Sequence, residues 1–108
     1  MITVIRSING VPIRLTDERW RHILISHTDM KDNLDKLIET VENPDMILKG
    51  VSDELRAVKF FKQTHLGAKY LMVAYKEFKD DGFIITAYKT SKIDKIVRRG
   101  VIWKKQKS

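Results

Sequence analysis

Histidine is the side chain that titrates closest to neutral pH, and the sequence contains three, His22, His27 and His65. His27 follows Ile23 and Leu24 at the spacing of one helical face, near the end of that predicted helix. Its imidazole is therefore predicted to point from the edge of the core into a cleft, as a general acid or base. The alternative is a hydrogen-bonded histidine at the core edge with no role in chemistry. His22 and His27 lie well apart around a helix, so no shared metal site is expected.

Cations interrupt an apolar segment over residues 56–62, where Arg56, Lys59 and Lys62 alternate with hydrophobic side chains. In a strand, Arg56 and Lys62 share one face and Lys59 lies on the other. Cleavage of a phosphodiester develops negative charge on a phosphorane, and a fixed cation on a rigid strand stabilises it more in the transition state than in the ground state. The other interpretation is an edge strand whose charges block aggregation.

Hydroxyl groups and a cation end the last long apolar segment. The hydroxyls of Tyr88, Thr90 and Ser91 could hydrogen-bond a phosphate or help to move a proton, and an aromatic ring offers nucleobases a stacking surface. Lys92 follows them directly. Threonine and tyrosine are also ordinary strand residues, so this pattern is weak by itself.

Several kinds of chemistry lack their sequence motifs. The chain has no cysteine, and therefore no thiolate ligand or nucleophile. It also has no glycine-rich phosphate loop, no paired histidines at the spacing of a zinc helix and no nucleophile-elbow motif. We therefore expect no cofactor and no catalytic metal, and we expect acid–base chemistry by side chains alone.

The positive charge is concentrated at the C-terminus. Residues 1–88 hold 13 Lys and Arg against 13 Asp and Glu, so the net charge of +7 comes from residues 89–108, which hold 8 cations and one acid. Such a basic C-terminal segment is typical of a polyanion-binding protein. An alternative is a basic tail that maintains solubility. The cations predicted to bind flanking phosphates are Lys92, Lys95, Arg98 and Arg99.

The order of the predicted elements should position these residues. A short edge strand is expected over 2–5, then a helix capped by Thr16 and a second helix that ends at Asn43 and Pro44. Residues 46–49, 55–62, 69–78 and 83–90 read as four strands with short turns between them. Residues 93–103 are ambiguous, as a helical turn followed by a strand or a docked tail. The predicted class is α+β, a single domain over 1–108 with two N-terminal helices packed on a four-stranded antiparallel sheet.

Four segments in this order, 14–27, 38–45, 56–62 and 82–91, resemble phage-type members of the barnase, EndoU, colicin and RelE-like nuclease superfamily. The resemblance implies a barnase/RelE-like fold and a metal-independent ribonuclease, often a toxin or effector. It matches His27 to the family's helix-closing histidine. Arg56 or Lys59 matches its basic strand residue, and Thr90, with Tyr88 beside it, matches its hydroxyl.

These expectations combine into a metal-independent endoribonuclease that acts by 2′-hydroxyl transesterification. His27 would be the base or acid, Arg56 or Lys59 would hold the phosphorane, and Tyr88 and Thr90 would orient the phosphate. Lys62 and Ser91 join the C-terminal cations as predicted RNA-binding residues. A cytoplasmic location, no membrane contact and an antitoxin or immunity protein as partner are also expected. The alternatives are a non-catalytic nucleic-acid-binding domain and a degenerate nuclease-fold interaction module.

Overall fold

The computed structural model describes residues 2–98 and 100–106. The elements in chain order are β1 (Ile2–Arg6), β2 (Pro12–Thr16), α1 (Asp17–Ser26), a 3₁₀ turn (Thr28–Met30), α2 (Leu34–Glu42), β3 (Met46–Lys49), β4 (Leu55–Phe61), β5 (Lys69–Glu77), β6 (Gly82–Thr90), α3 (Ile93–Val97) and β7 (Val101–Lys104).

All seven strands form one mixed sheet in the order β1-β2-β6-β5-β4-β3-β7, in which β2 and β6 are parallel and the other neighbours are antiparallel. The predicted fold, two helices on a four-stranded antiparallel sheet, is therefore wrong. The four predicted strand segments do form β3 to β6, but the N-terminal hairpin and β7 extend the sheet on both sides.

The missed strand β2 has a clear alternating pattern. Ile13 and Leu15 are buried, whereas Arg14 and Thr16 are exposed. Pro12 reads as a turn residue in the sequence, yet proline is tolerated at the first position of a strand, where its missing N–H costs little. Gly82 is suited to its place between β2 and β5, because a Cβ there would collide with the Lys76 backbone carbonyl of β5 and with the end of the Ile13 side chain of β2.

The start of α1 and the end of α2 lie where the sequence indicates. The Thr16 hydroxyl accepts the N–H of Arg19 at 3.1 Å, which confirms the predicted cap of α1. At its other end, α2 stops at Asn43, and the following Pro44 cannot continue a helix. Neither these helices nor α3 has the length and hydropathy needed to cross a membrane.

The sheet has two unequal faces. The α1/α2 face carries the main core, in which Leu37 and Val41 of α2 pack with Leu71, Val73 and Tyr75 of β5. The opposite surface, called the far face below, has a smaller cluster formed by Leu48, Val58, Met72 and Ala74, with Ile93 of α3 packed against it. The far face therefore has much less helical cover.

One edge of β6 is covered by helices instead of a strand. The strand β2 pairs only with Gly82 and Phe83, and α1 and the 3₁₀ turn contact β6 beyond them. There the Asp29 carboxylate accepts the backbone N–H of Lys89 at 2.8 Å. This arrangement brings the end of α1 to the edge of the far face.

Candidate active site

His27 lies at the C-terminal end of α1, beside β6. Its backbone N–H donates to the Ile23 carbonyl at 2.7 Å, which closes the helix. Its partly buried imidazole contacts the Tyr88 ring, with centroids 5.4 Å apart and planes tilted by 32°. The fold therefore brings together two of the predicted catalytic residues, which are far apart in sequence.

Tyr88 belongs to the far face. Strand register places it opposite Met72, which in turn lies opposite Val58. Thr90 is on the same face one side-chain row further along β6, opposite Tyr70. Its hydroxyl accepts the backbone N–H of Lys92 at 3.0 Å and so shapes the chain as it leaves the strand.

Arg56 is also on the far face, opposite Ala74 of β5. Its guanidinium is mostly buried, with 18% of the side chain exposed, and it donates to one Glu54 oxygen through Nε at 2.9 Å and Nη2 at 2.7 Å. Tyr88 lies two strands away and one row along, so the two Cα atoms are roughly 12 Å apart from strand geometry. The two long side chains border the same stretch of sheet.

Lys59 points to the opposite side. Its Nζ donates to the Asn43 carbonyl at 2.9 Å and lies 3.6 Å from a Glu39 carboxylate oxygen, with 13% of the side chain exposed. Both partners belong to the C-terminal end of α2. The fold thus separates Lys59 from Tyr88 and Thr90 and leaves Arg56 on their face.

The predicted RNA-binding residues are spread along an exposed path. Lys62 follows β4, Ser91 and Lys92 follow β6, and Lys95 and Arg98 lie in and after α3, all exposed. Arg99 lies outside the described residues. Since β6 and β7 are on opposite sides of the sheet centre and Ile93 of α3 packs on the far face, the basic segment crosses that face.

A cavity of about 580 Å³ was not anticipated from the sequence. It lies between the 3₁₀ turn, the start of α2 and the β4–β5 loop, and its lining includes Lys31, Lys36 and His65. The His65 Nδ1 is 3.4 Å from the Nζ of Lys89. Burial lowers the pKa of Lys89, the charge of Lys36 lowers it further, and Asp29 opposes both effects. The residues that line this cavity come from two separate parts of the sequence, so no local sequence motif predicts the cavity.

Within residues 2–98 and 100–106, no three His, Cys, Asp or Glu side chains converge as ligands for a metal ion. His27 and Tyr88 are in ring contact, and Arg56 and Thr90 lie on the same sheet face, each one side-chain row from Tyr88 along the strands. Side chains of these types are the ones that acid–base cleavage of a phosphodiester uses.

The family comparison identifies the class more closely. The family model PBECR2, described as phage-Barnase-EndoU-ColicinE5/D-RelE like nuclease2, matches residues 3–104. The chain belongs to this family, which confirms the superfamily inferred from the sequence, and it is a nuclease of the barnase/EndoU/colicin/RelE type. Among curated proteins and among solved structures, no significant match is found.

Proposed function

We propose that this nuclease is a metal-independent endoribonuclease. The observation that supports the proposal is the contact between the His27 and Tyr88 rings at the edge of the far face, the face that also carries Thr90 and Arg56. A proton-transfer group, hydroxyl donors and a cation then surround one stretch of sheet, as cleavage of a phosphodiester requires.

The reaction uses the nucleophile that RNA itself supplies. A base removes the proton of the ribose 2′-hydroxyl, and the O2′–P bond forms as the P–O5′ bond breaks. The products are a 2′,3′-cyclic phosphate and a 5′-hydroxyl that has gained a proton. His27 acts as the base or the acid, and Tyr88 and Thr90 orient the phosphate. DNA lacks the 2′-hydroxyl and cannot follow this route.

Arg56, and not Lys59, holds the phosphorane in this proposal. Glu54 accepts hydrogen bonds from the Nε and Nη2 groups of Arg56 and fixes the guanidinium. The N–H groups of Arg56 that Glu54 does not bind would donate to the phosphate oxygens. Lys59 has a structural role, because its ammonium is bound to the end of α2 on the other side of the sheet.

The basic segment supplies contacts to the rest of the strand. Lys62, Ser91 and Lys92 extend from the same end of the far face as Thr90, and Lys95 and Arg98 follow along the crossing path. Cations at these positions neutralise flanking phosphates without reading the base sequence.

Product analysis tests the function. Purified protein is incubated with mixed RNA in excess EDTA, and the ends of the fragments are analysed for cyclic phosphate. A matched oligonucleotide with a single 2′-deoxy nucleotide at a mapped cleavage position should resist at that position only. A strict requirement for a divalent metal, or equal cleavage of DNA, would rule out the mechanism. Retention of intact RNA with a steep salt dependence would indicate a binding module instead.

The proposal includes a toxin role in the cytoplasm, with an antitoxin or immunity protein as the partner. A ribonuclease that acts on cellular RNA arrests growth unless it is inhibited, and an acidic partner would complement the basic segment. Expression of the wild-type chain should be toxic, and His27→Ala should relieve the toxicity. Equal toxicity of both chains would contradict a catalytic origin.

A further inference from the structure

A pair of aromatic rings, the exposed Phe60 and the partly buried Tyr70, lies on the far face one side-chain row beyond Tyr88. The strands place Phe60 directly opposite Tyr70, which lies opposite Thr90. The Phe60 and Tyr70 ring centroids are 5.0 Å apart with planes inclined by 58°, and Phe60 is 43% exposed. The three residues form a continuous row at the end of the candidate site.

The Phe60 side chain contributes little to either hydrophobic cluster of the protein. The next residue, Phe61, points to the α1/α2 face and packs against the main core, whereas the buried cluster of the far face includes Val58 and Met72 but not Phe60. The exposed Phe60 ring leaves apolar surface in water, and a ligand that stacks on the ring gains free energy by removing that surface from water.

The Phe60–Tyr70 pair, called the platform below, lies on a backbone held by two hydrogen bonds. The carboxylate of Asp45, the residue just before β3, accepts the backbone N–H of Phe60 at 2.7 Å. The Asp45 backbone N–H donates to the Val58 carbonyl at 2.8 Å, which ties the same loop to β4. These bonds fix the backbone that carries the Phe60 ring, so little backbone freedom is lost when a ligand stacks on the ring.

We propose that the Phe60–Tyr70 pair binds an unpaired nucleobase of the substrate, next to the phosphate that is cleaved. Exposed cations flank the row, Lys62 after β4 and Lys92 after β6, and they complement the phosphates on either side of a stacked base. A base within a duplex has both faces covered, so the platform selects single-stranded RNA without strong sequence preference. This inference rests on the proposed function for its choice of RNA.

Binding is measured without cleavage, by using a single-stranded RNA whose 2′-hydroxyls are methylated and whose central base is fluorescent 2-aminopurine. The wild-type protein should quench the fluorescence and bind the strand more tightly than the matched duplex. Phe60→Leu keeps the apolar bulk but removes the aromatic face. It should weaken single-strand binding roughly 5- to 100-fold, the range expected for loss of one base–aromatic stack. Phe60→Trp should restore binding.

The chain contains a matched control at the opposite end of the sheet. Phe78 is 53% exposed and forms a similar pair with Phe83, with ring centroids 6.1 Å apart. Phe78→Leu should bind the strand as the wild type does. Thermal unfolding of both variants verifies that they fold.

Equal binding by the Phe60→Leu and Phe78→Leu variants, or equal affinity for strand and duplex, would overturn the inference. If the Phe60→Leu variant binds RNA normally but no longer binds a protein partner, the inference is also overturned, because the aromatic pair would then be a protein-docking surface. Because the methylated strand cannot be cleaved, normal stacking in a protein that does not cleave RNA would refute the proposed function alone. If the wild-type protein cleaves RNA and the Phe60→Leu variant binds the methylated strand as tightly as the wild type does, only the proposed role of the aromatic pair is refuted.

Discussion

The two faces of the sheet use neighbouring residues of β4 in different ways. On the α1/α2 face, Ala57 is fully buried and Lys59 holds the end of α2. On the far face, Arg56 is fixed by Glu54 and Phe60 is exposed. The α1/α2 face has two helices to bind, so its polar groups serve the fold. The far face has less helical cover, so Phe60 stays exposed there, and the Arg56 side chain pairs with a neighbouring carboxylate instead of a helix end. Position on the sheet, more than residue type, separates the two roles.

The largest expected effect tests whether the far-face edge carries the chemistry. His27→Ala should lower the RNA cleavage rate about 100- to 10,000-fold, because a general acid or base is lost. His22→Ala is the matched control on the same helix. Its side chain is 62% exposed, and its ion pair with Glu18 is long at 3.8 Å, so the rate of the variant should equal that of the wild type.

Both rates are measured on a defined RNA, and thermal unfolding verifies that each variant folds. If the His27→Ala variant cleaves at the wild-type rate, His27 has no part in the reaction. If both variants lose activity together, the effect arises from damage to α1.

The next effect contrasts the two faces within one strand. Arg56→Ala should slow cleavage roughly 100- to 1,000-fold, as expected when a transition-state donor is removed. Lys59→Met keeps most of the side-chain volume but removes the ammonium that binds the Asn43 carbonyl. It should destabilise the fold by about 0.5–1.5 kcal/mol, the net contribution of one hydrogen bond to an exposed carbonyl, and leave cleavage at low temperature nearly unchanged.

Cleavage rates at 15 °C and urea unfolding of both variants distinguish these outcomes. The proposed difference between the two faces is wrong if the Lys59→Met variant no longer cleaves RNA while its unfolding curve matches that of the wild type. It also fails if Arg56→Ala acts only by lowering stability.

A smaller effect concerns the basic segment that crosses the far face. Replacing Lys92, Lys95 and Arg98 with alanine removes three exposed cations. The slope of log affinity against log salt should fall in magnitude by about 2, since each single-strand phosphate contact contributes about 0.7. The control replaces three exposed cations elsewhere, Arg6, Arg21 and Lys79. Equal slopes for the two triple variants, measured by fluorescence anisotropy, would show that binding is not localised to this segment.

The smallest effect is expected in the main core. The Tyr75 ring is fully buried, and its hydroxyl has no hydrogen-bond partner among the described residues. Burial, and next the charge of Glu77, raises the pKa of Tyr75 above its ordinary value. A raised pKa stabilises the fold below the unfolded pKa of about 10, and this contribution is lost as the pH rises further.

Tyr75→Phe should therefore change the free energy of unfolding at pH 7 by less than about 1 kcal/mol, because only an unsatisfied hydroxyl is removed. The variant should also lose less stability than the wild type between pH 9.5 and pH 11.5. Urea unfolding at the three pH values tests this. A large loss at pH 7 would show that the hydroxyl is hydrogen-bonded to a buried water.

Much of the local structure could be predicted from the sequence. The Thr16 cap, the end of α2 at Asn43 and the strands β3 to β6 follow from short-range signals. The size and connectivity of the sheet could not be predicted, because the first and last residues of β2 carry stronger signals for other structures. Pro12 indicates a turn, and Thr16 indicates a helix cap. Parallel pairing of β2 with β6 joins residues about seventy positions apart, and no local pattern specifies such a partner.

The candidate site divides in the same way. Residue types and the shared family likeness singled out His27, Tyr88 and Thr90, but their proximity depends on α1 flanking the edge of β6. The cavity beside His65 and the aromatic pair at Phe60 were not identified, because each combines residues from separate loops or strands.

The sequence by itself determined that Arg56 and Lys59 lie on opposite faces, since strand side chains alternate with a period of two. It did not determine which of those faces would be covered. That depended on where α1 and α2 pack, because burying their apolar residues against Leu71, Val73 and Tyr75 covers one side of the sheet and leaves the other accessible to a ligand. The tertiary structure therefore decided which of the two cations shares a face with Tyr88 and Thr90.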